Sequence, residues 1–243
     1  MNAPPPPFRQ SIFRRLARRV RHWLPRWESS LVLGRPIVGD ERVTDRPGIT
    51  RVTWVERESD PDAPDLYRFS HACQGMDEAW CRLELWRGLV IVLAWADDPA
   101  GGAQRIVATA WTTPGEHWVD DVYHYFDPGP VGCQLLNAFV HPDFRGKRIQ
   151  QMLVERRLDW AWRRGKRWAY TVIHTWNAPS LKNNVAAGFR PVVRVDLVRV
   201  GRLKLTFVRR VTHRIPPGGL RFRGWPASLY AHVVRDRPAE EKG

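Results

Sequence analysis

The chain has 243 residues, 43% of them apolar, enough to fill the core of one large domain or two small ones, which excludes a disordered or fibrous protein. Lys and Arg number 39 against 25 Asp and Glu, and the resulting formal charge of +14 favours a polyanionic partner: nucleic acid, an acidic membrane surface or a phosphorylated cofactor. Three cysteines without C-x-x-C spacing argue against a disulfide framework and a zinc ribbon, and no apolar run is long enough to cross a bilayer as a helix, so a cytoplasmic protein in a reducing compartment is expected.

The first segment differs from the rest. "MNAPPPPFRQSIFRRLARRVRHWLPRW" opens with a proline run and places seven arginines before its first acid, Glu28. Ile12, Leu16, Val20, Trp23, Leu24 and Trp27 recur at helical spacing with arginines between them, until Pro25 disturbs the pattern. This is a basic amphipathic arm, residues 1–29. Two readings stand open: residues 9–26 contact an anionic membrane peripherally, each arginine contributing about 1 kcal/mol, or the apolar stripe packs on the following domain. No uninterrupted apolar stretch follows the arginines, so neither a secretory signal nor twin-arginine export is expected.

From residue 30 the pattern is mixed α/β. Strands are expected at "SLVLGRPI" and "ITRVTWVE", then a helical region over roughly 64–87, then the apolar runs "GLVIVLAWA", "RIVATAWTT" and "CQLLNAFV", separated by Asp-Pro and Gly turn signals as in a meander. A helix over 147–164 ends at Gly165; the strand "RWAYTVIH" leads to a short helix over 178–187 that halts at Gly188. "FRPVVRVDLVRV" and "RLKLTFVRRV" then alternate as a hairpin turning near Gly201. The segment 213–243, with "IPPGG" and "GWPASLY", either folds over the domain or dangles. There are no internal repeats.

The stretch "FVHPDFRGKRIQQML", residues 139–153, carries the first chemical signal. A strand end running through an Arg-Gly-Lys turn into a helix offers unpaired backbone N–H groups and the positive end of a helix dipole, a setting for phosphate. The competing reading is that Gly146 merely turns the chain.

Taken together, "VHPDFRGK" from Val140, the helix and strand after it, and "NAPSLKNNVAAGF" from Asn177 resemble the GNAT superfamily of acyl-CoA N-acyltransferases, with both halves in order and at the family's spacing. The resemblance covers roughly 30–210 and is sharpest over 135–190. It implies a GNAT-like domain over 30–212, a mixed α+β fold with a central, mostly antiparallel twisted sheet flanked by helices. It also implies acetyl-CoA or another acyl-CoA as cosubstrate, with a primary amine as acceptor. By position in the motif, Phe139 and Val140 would be the strand edge beside the pantetheine and thioester. Arg145, Gly146, Lys147, Arg148, Ile149 and Gln150 would form the pyrophosphate cradle, and Asn177 and Ser180 would line the other side.

Two departures matter. The family's cradle reads R/Q-x-x-G-x-G/A, and Arg148 and Gln150 stand where its two small residues belong. Gln150 would crowd the diphosphate or donate a hydrogen bond to it; Arg148 would pair with a phosphate oxygen or lie solvated on the helix. Amine attack needs a neutral nucleophile, and an amine of pKa about 10 is mostly charged at neutral pH. The family often places a carboxylate where Asn137 stands, and a thiolate-protonating tyrosine where Asn184 stands. The polar cluster "HWVDDVYHYFD", residues 117–127, offers substitutes, of which Asp121 and His124 are favoured, against the reading of a polar loop.

No P-loop, nucleophile elbow or metal-protease helix is present, and the eight histidines lack ligand spacing, so no metal is expected. The thirteen tryptophans are scattered through apolar segments, where core packing explains them better than nucleic-acid stacking. A domain that binds CoA or an acyl ligand without turnover follows from the missing carboxylate and tyrosine. The basic arm, "NAPSLKNNVAAGF" and the basic hairpin together resemble GNAT proteins associated with bacterial cell-surface polysaccharide synthesis; the small-molecule amine acceptor is left unidentified, with an amino sugar among the candidates.

Overall fold

The computed structural model describes residues 26–39, 43–98, 101–119, 122, 124–200, 203–211, 220–224 and 230–235. The amphipathic stripe of the arm lies outside the described residues apart from Trp27, the expected membrane contact through 9–26 apart from Arg26, and Asp121 lies outside them as well.

Nine strands form one sheet, in the order β12-β10-β9-β1-β8-β7-β4-β3-β2: β1 (Arg26–Pro36), β2 (Arg51–Val55), β3 (Val90–Asp97), β4 (Gln104–Thr113), β7 (Gly132–Val140), β8 (Trp168–His174), β9 (Arg190–Val200), β10 (Leu203–Arg210) and β12 (Tyr230–Arg235). All neighbours run antiparallel except β7 with β8 and β10 with β12. The fold is therefore mixed α+β with a mostly antiparallel sheet, as the sequence predicts. β5 (His117–Val119), β6 (His124–Asp127) and β11 (Arg221–Gly224) make a second, three-stranded sheet.

The central strands read as continuous apolar runs because both faces are covered. In β3, Ile91, Leu93 and Trp95 pack with α1 (Ala63–Gln74) and α2 (Glu78–Trp86), while Val92, Ala94 and Ala96 meet the start of α3 (Ile149–Arg163). In β8, Ala169 and Ile173 lie on the α3 side, and Tyr170 and Val172 pack toward the small sheet through Phe126 and Phe222. A fourth helix, α4 (Ala178–Ala186), follows β8.

Three expectations are refined. The helical region over 64–87 is two helices: Gly75, left-handed at φ 66, ends α1, and the Asp77 carboxylate caps α2 by accepting the Ala79 N–H. The polar stretch 117–127 contains β5 and β6, whose inward residues Val119 and Phe126 join the core. Within 213–243, β11 pairs with β6 and β12 with β10, and residues 26–29 of the arm are already in β1. Among the described residues, no helix is long and apolar enough to cross a membrane.

Candidate active site

β7 and β8 pair in parallel at Gly132–Trp168, Cys133–Ala169 and Gln134–Tyr170, and there the pairing stops. Residues 135–140 of β7 continue beside β4, and 171–174 of β8 continue beside β1, so the two strands diverge and leave a wedge in the middle of the sheet. A strand edge inside a sheet must satisfy its backbone groups elsewhere, and a ligand in extended conformation does so.

On one side of the wedge lies a cavity of about 560 Å³ between β7, the loop after it, the start of α3 and the length of α4. Phe139, Val140, Arg145, Gly146, Arg148, Ile149, Gln150, Asn177 and Ser180 all contribute to its wall, together with Asn184. Lys147 does not; it is exposed, its ammonium 4.7 Å from the centre of the Phe144 ring. Ile149 is buried against Met152 and Leu153, and so anchors the helix start.

The loop's backbone is unusual in a way its sequence explains only in part. Gly146 sits at φ 77, where glycine is at ease, and a Cβ there would meet nothing within 4 Å. Arg148, the N-cap of α3, adopts φ 57 without a glycine, and its side chain makes no capping bond. The first N–H groups of a helix have no intrahelical partner, so α3 presents an uncapped, positive terminus to the cavity, flanked by exposed Arg145 and Arg148. Arg145 Nε donates to the Val140 carbonyl at 3.2 Å, which ties the loop back to the end of β7. Gln150 Oε1 accepts from Asn183 Nδ2 at 3.0 Å, linking α3 to α4 across the rim.

α4 is set by Asn177, whose side-chain oxygen accepts the Ser180 N–H at 3.3 Å. Asn184 is buried and donates from Nδ2 to the Ser180 carbonyl at 2.9 Å. At β7, Thr109 of β4 pairs with Phe139 but Trp111 pairs with Leu136, so β7 carries one extra residue; Asn137, at φ 37, is part of this bulge. Arg157 of α3 supports it from beneath. Its guanidinium is buried and donates to the carbonyls of Trp111 at 3.0 Å and Leu136 at 3.3 Å, while Nε reaches Leu153 at 3.1 Å. Burial lowers its pKa to about 10, which still leaves it charged at neutral pH.

On the other side of the wedge is a second cavity, about 340 Å³, walled by Asn137, Gln134, Thr171 and His174 from the sheet, Trp80 from α2, and His117 and Trp118 from β5. Ala138, Gln150, Asn177, Ser180 and Asn184 line both cavities, so the two are halves of one cleft. Gln134 is fully buried, and neither its Oε1 nor its Nε2 has a hydrogen-bond partner.

The structure thus brings together every motif residue named for the cradle except Lys147. It separates His124 from both cavities: that ring is buried, donates from Nδ1 to the Val122 carbonyl at 2.8 Å, and meets Phe222 edge-on. Sequence reasoning passed over His117, though it opens the same quoted cluster, and Glu84, an acid among the buried residues of α2. Their side chains approach to 3.6 Å. Cys133, at the closed end of the wedge, is buried and its thiol is pushed up to about 12, which makes it a poor nucleophile. Among the described residues, no group of His, Cys, Asp and Glu is arranged to hold a metal.

No family model and no curated protein matches the sequence. Among solved structures, the chain is similar to a tandem GNAT protein from the clavulanic acid biosynthesis pathway, at 18% identity and a TM-score of 0.50, over 72% of this chain and 54% of that one. A GNAT-family protein from Novosphingobium aromaticivorans gives 17% identity and a TM-score of 0.47, over 70% and 63%. A GCN5-related N-acetyltransferase from Sphaerobacter thermophilus gives 15% and 0.45, over 76% and 54%. The chain spans between 54% and 63% of these structures' length. The fold is that of the GNAT superfamily.

Proposed function

We propose that this GNAT-fold chain transfers an acetyl or other short acyl group from acyl-CoA to the primary amine of a small, hydroxylated acceptor, with an amino sugar the favoured class. The observation that carries this reading is the wedge between β7 and β8, with an uncapped helix terminus on one side and a polar cavity on the other.

The residues present suit the cosubstrate. The pantetheine arm is a chain of amides that would complete the β7 edge at Phe139 and Val140. The diphosphate would lie over residues 145–150, against the N–H groups of α3 and the guanidinium groups of Arg145 and Arg148. The Gln150–Asn183 bond crosses the rim there. Exchanging one exposed neutral hydrogen bond costs about 1 kcal/mol, less than charge-assisted bonds to phosphate return. The thioester then falls at the bulge around Asn137, where backbone N–H groups are the donors for the developing oxyanion. Asn184 has its amide nitrogen committed to Ser180, so the leaving thiolate takes its proton from the amine nitrogen or from water.

The second cavity supports the acceptor class. Its volume is at the small end of the roughly 300–1,000 Å³ typical of small-molecule sites. The unpartnered Gln134 amide and the Thr171 hydroxyl suit an acceptor bearing several hydroxyl groups, since a buried amide left unpaired costs about 1–3 kcal/mol.

A panel of primary amines and amino sugars, incubated with acetyl-CoA and scored for free thiol, tests the reading. Thiol release with hydroxylated amines, and little with purely aliphatic ones, is the expected outcome. CoA binding by calorimetry with no thiol from any amine would favour a domain that holds an acyl ligand without turnover, as Asn137 and Asn184 allow.

A further inference from the structure

The acyl transfer proposed above puts a developing oxyanion at the bulge of β7, and the side chain that shapes this bulge lies outside the recognised motifs. Arg157 is the only charged side chain among the buried residues of α3, the others being apolar. It has no carboxylate partner among the described residues; its bonds all go to backbone carbonyls, those of Leu153, Trp111 and Leu136. A buried cation held by neutral groups alone costs stability that an apolar side chain of similar volume would not. Its placement therefore calls for a role beyond packing.

Trp111 and Leu136 are the last pair of the β4–β7 ladder before the extra residue in β7. Arg157 Nη1 donates to both their carbonyls, at 3.0 and 3.3 Å, so the two oxygens face the gap between the strands and the guanidinium closes the ladder there. A trans peptide is planar, with its C=O and N–H pointing opposite ways, and no described peptide bond is cis. The Leu136 carbonyl shares a peptide with the Asn137 N–H. That N–H therefore points away from β4, into the wedge that β8 has left open beyond Gln134.

We infer that Arg157 is a positioning residue for acyl transfer: by holding the Leu136 carbonyl it aims the Asn137 N–H at the thioester oxygen and makes it a stronger donor. A cation on the carbonyl end of a peptide draws electron density from its N–H end, and hydrogen bonds in such a chain strengthen one another by about 10–30% each. The same grip holds Asn137 at φ 37, a conformation that a non-glycine residue keeps only where its surroundings fix it. The inference rests on the acyltransferase reading, and its step balances. The lone pair of the neutral amine forms the C–N bond as the carbonyl π pair moves onto oxygen, which accepts from the Asn137 N–H. On collapse the C–S bond breaks with its electrons on sulfur, and the thiolate receives the proton shed by the former amine nitrogen. The products are an amide and a free thiol.

The full-length chain tests this with acetyl-CoA carrying carbon-13 at the carbonyl, bound without an acceptor. In the wild type the carbonyl resonance should move downfield on binding, because a strong donor polarises the C=O bond. In Arg157→Met that displacement should shrink by at least half, and Arg157→Lys, which keeps the charge, should restore part of it. Removing an oxyanion donor outright costs about 100–1,000-fold in kcat, so a donor kept but loosened should cost about 10–30-fold. The KM for acetyl-CoA and its affinity by calorimetry should stay within about twofold, since the lost interaction belongs to the transition state. Should Arg157→Met fail to fold, Arg157→Gln, which keeps an N–H donor without the charge, takes its place. An arginine that merely supports the sheet would lower Tm and leave the bound carbonyl resonance and the kcat-to-KM split unmoved, and that result overturns the inference alone. So does a wild type that binds acetyl-CoA with no displacement of the resonance. A wild type that binds no acetyl-CoA overturns the acyltransferase reading and this role with it.

Discussion

The two ends of β7 carry glycines that serve opposite purposes. At the closed end, Gly132 is packed so tightly that a Cβ would lie 2.0 Å from the Pro128 carbonyl oxygen; at the open end, beyond the strand, a Cβ on Gly146 would meet nothing within 4 Å. Gly132 is needed for space, and Gly146 for its left-handed backbone at φ 77. The same contrast runs through the neighbouring residues. The closed end is paired to β8 at Gly132, Cys133 and Gln134 and from Gln134 also to β4, whereas both described non-glycine residues with positive φ, Asn137 and Arg148, lie at the open end. A rigid hinge of packed sheet lets strained backbone persist where a ligand is to be met.

The largest effect should come from the closed end. Gly132→Ala forces a methyl group into backbone, at the upper end of what overpacking costs, about 3 kcal/mol, or roughly a 10 °C fall in Tm for a domain of this size. Thermal unfolding followed by circular dichroism measures it. A loss below about 1 kcal/mol would mean that the Pro128 turn yields and that the closed end is not the rigid partner.

How much of this contrast was readable in the sequence depended on whether the signal was local. β3, β4 and β8 were legible because strands buried on both faces are largely apolar, β9 because its apolar and polar residues alternate, and α3 because its buried face recurs at helical spacing up to Gly165. The cradle was legible as a turn between a strand and a helix. β5 and β6 were not, since three or four residues of alternating polar and apolar character look like a loop. That same alternation misdirected the choice of His124: it shares a buried face with Phe126, so its polarity is satisfied locally instead of being offered to a ligand. The bulge at Asn137 left no trace because no glycine marks it. The approach of His117 to Glu84 joins residues from different layers, and no spacing in one chain encodes that.

The open end should respond to charge and backbone conformation instead of volume. Gly146→Glu puts a side chain at φ 77, which costs about 1–2 kcal/mol, and sets a carboxylate where the proposal puts a diphosphate. CoA affinity by calorimetry should fall at least tenfold, about 1.4 kcal/mol. Arg148→Ala removes one of several cations and leaves the backbone as strained as before, so its loss should be only about threefold. If the two variants bind CoA equally well, residues 145–150 are not the cradle, even though the fold stands.

The smallest effect sharpens the contrast by its sign. At Gly132 any added atom destabilises, but at Arg148 removing the whole side chain should help, because φ 57 costs an arginine about 1–2 kcal/mol that glycine does not incur. Against this stands the extra freedom glycine gives the unfolded chain, about 0.5–1 kcal/mol. The net gain for Arg148→Gly is therefore about 0.5 kcal/mol, a rise of roughly 1–2 °C in Tm. Arg148→Ala is the control, since it removes the same guanidinium and methylenes but keeps a Cβ, and it should show no such gain. If alanine stabilises as much as glycine, the cost at this position is charge repulsion from Arg145 and Lys147 and not backbone strain. The open end would then differ from the closed end only in its electrostatics.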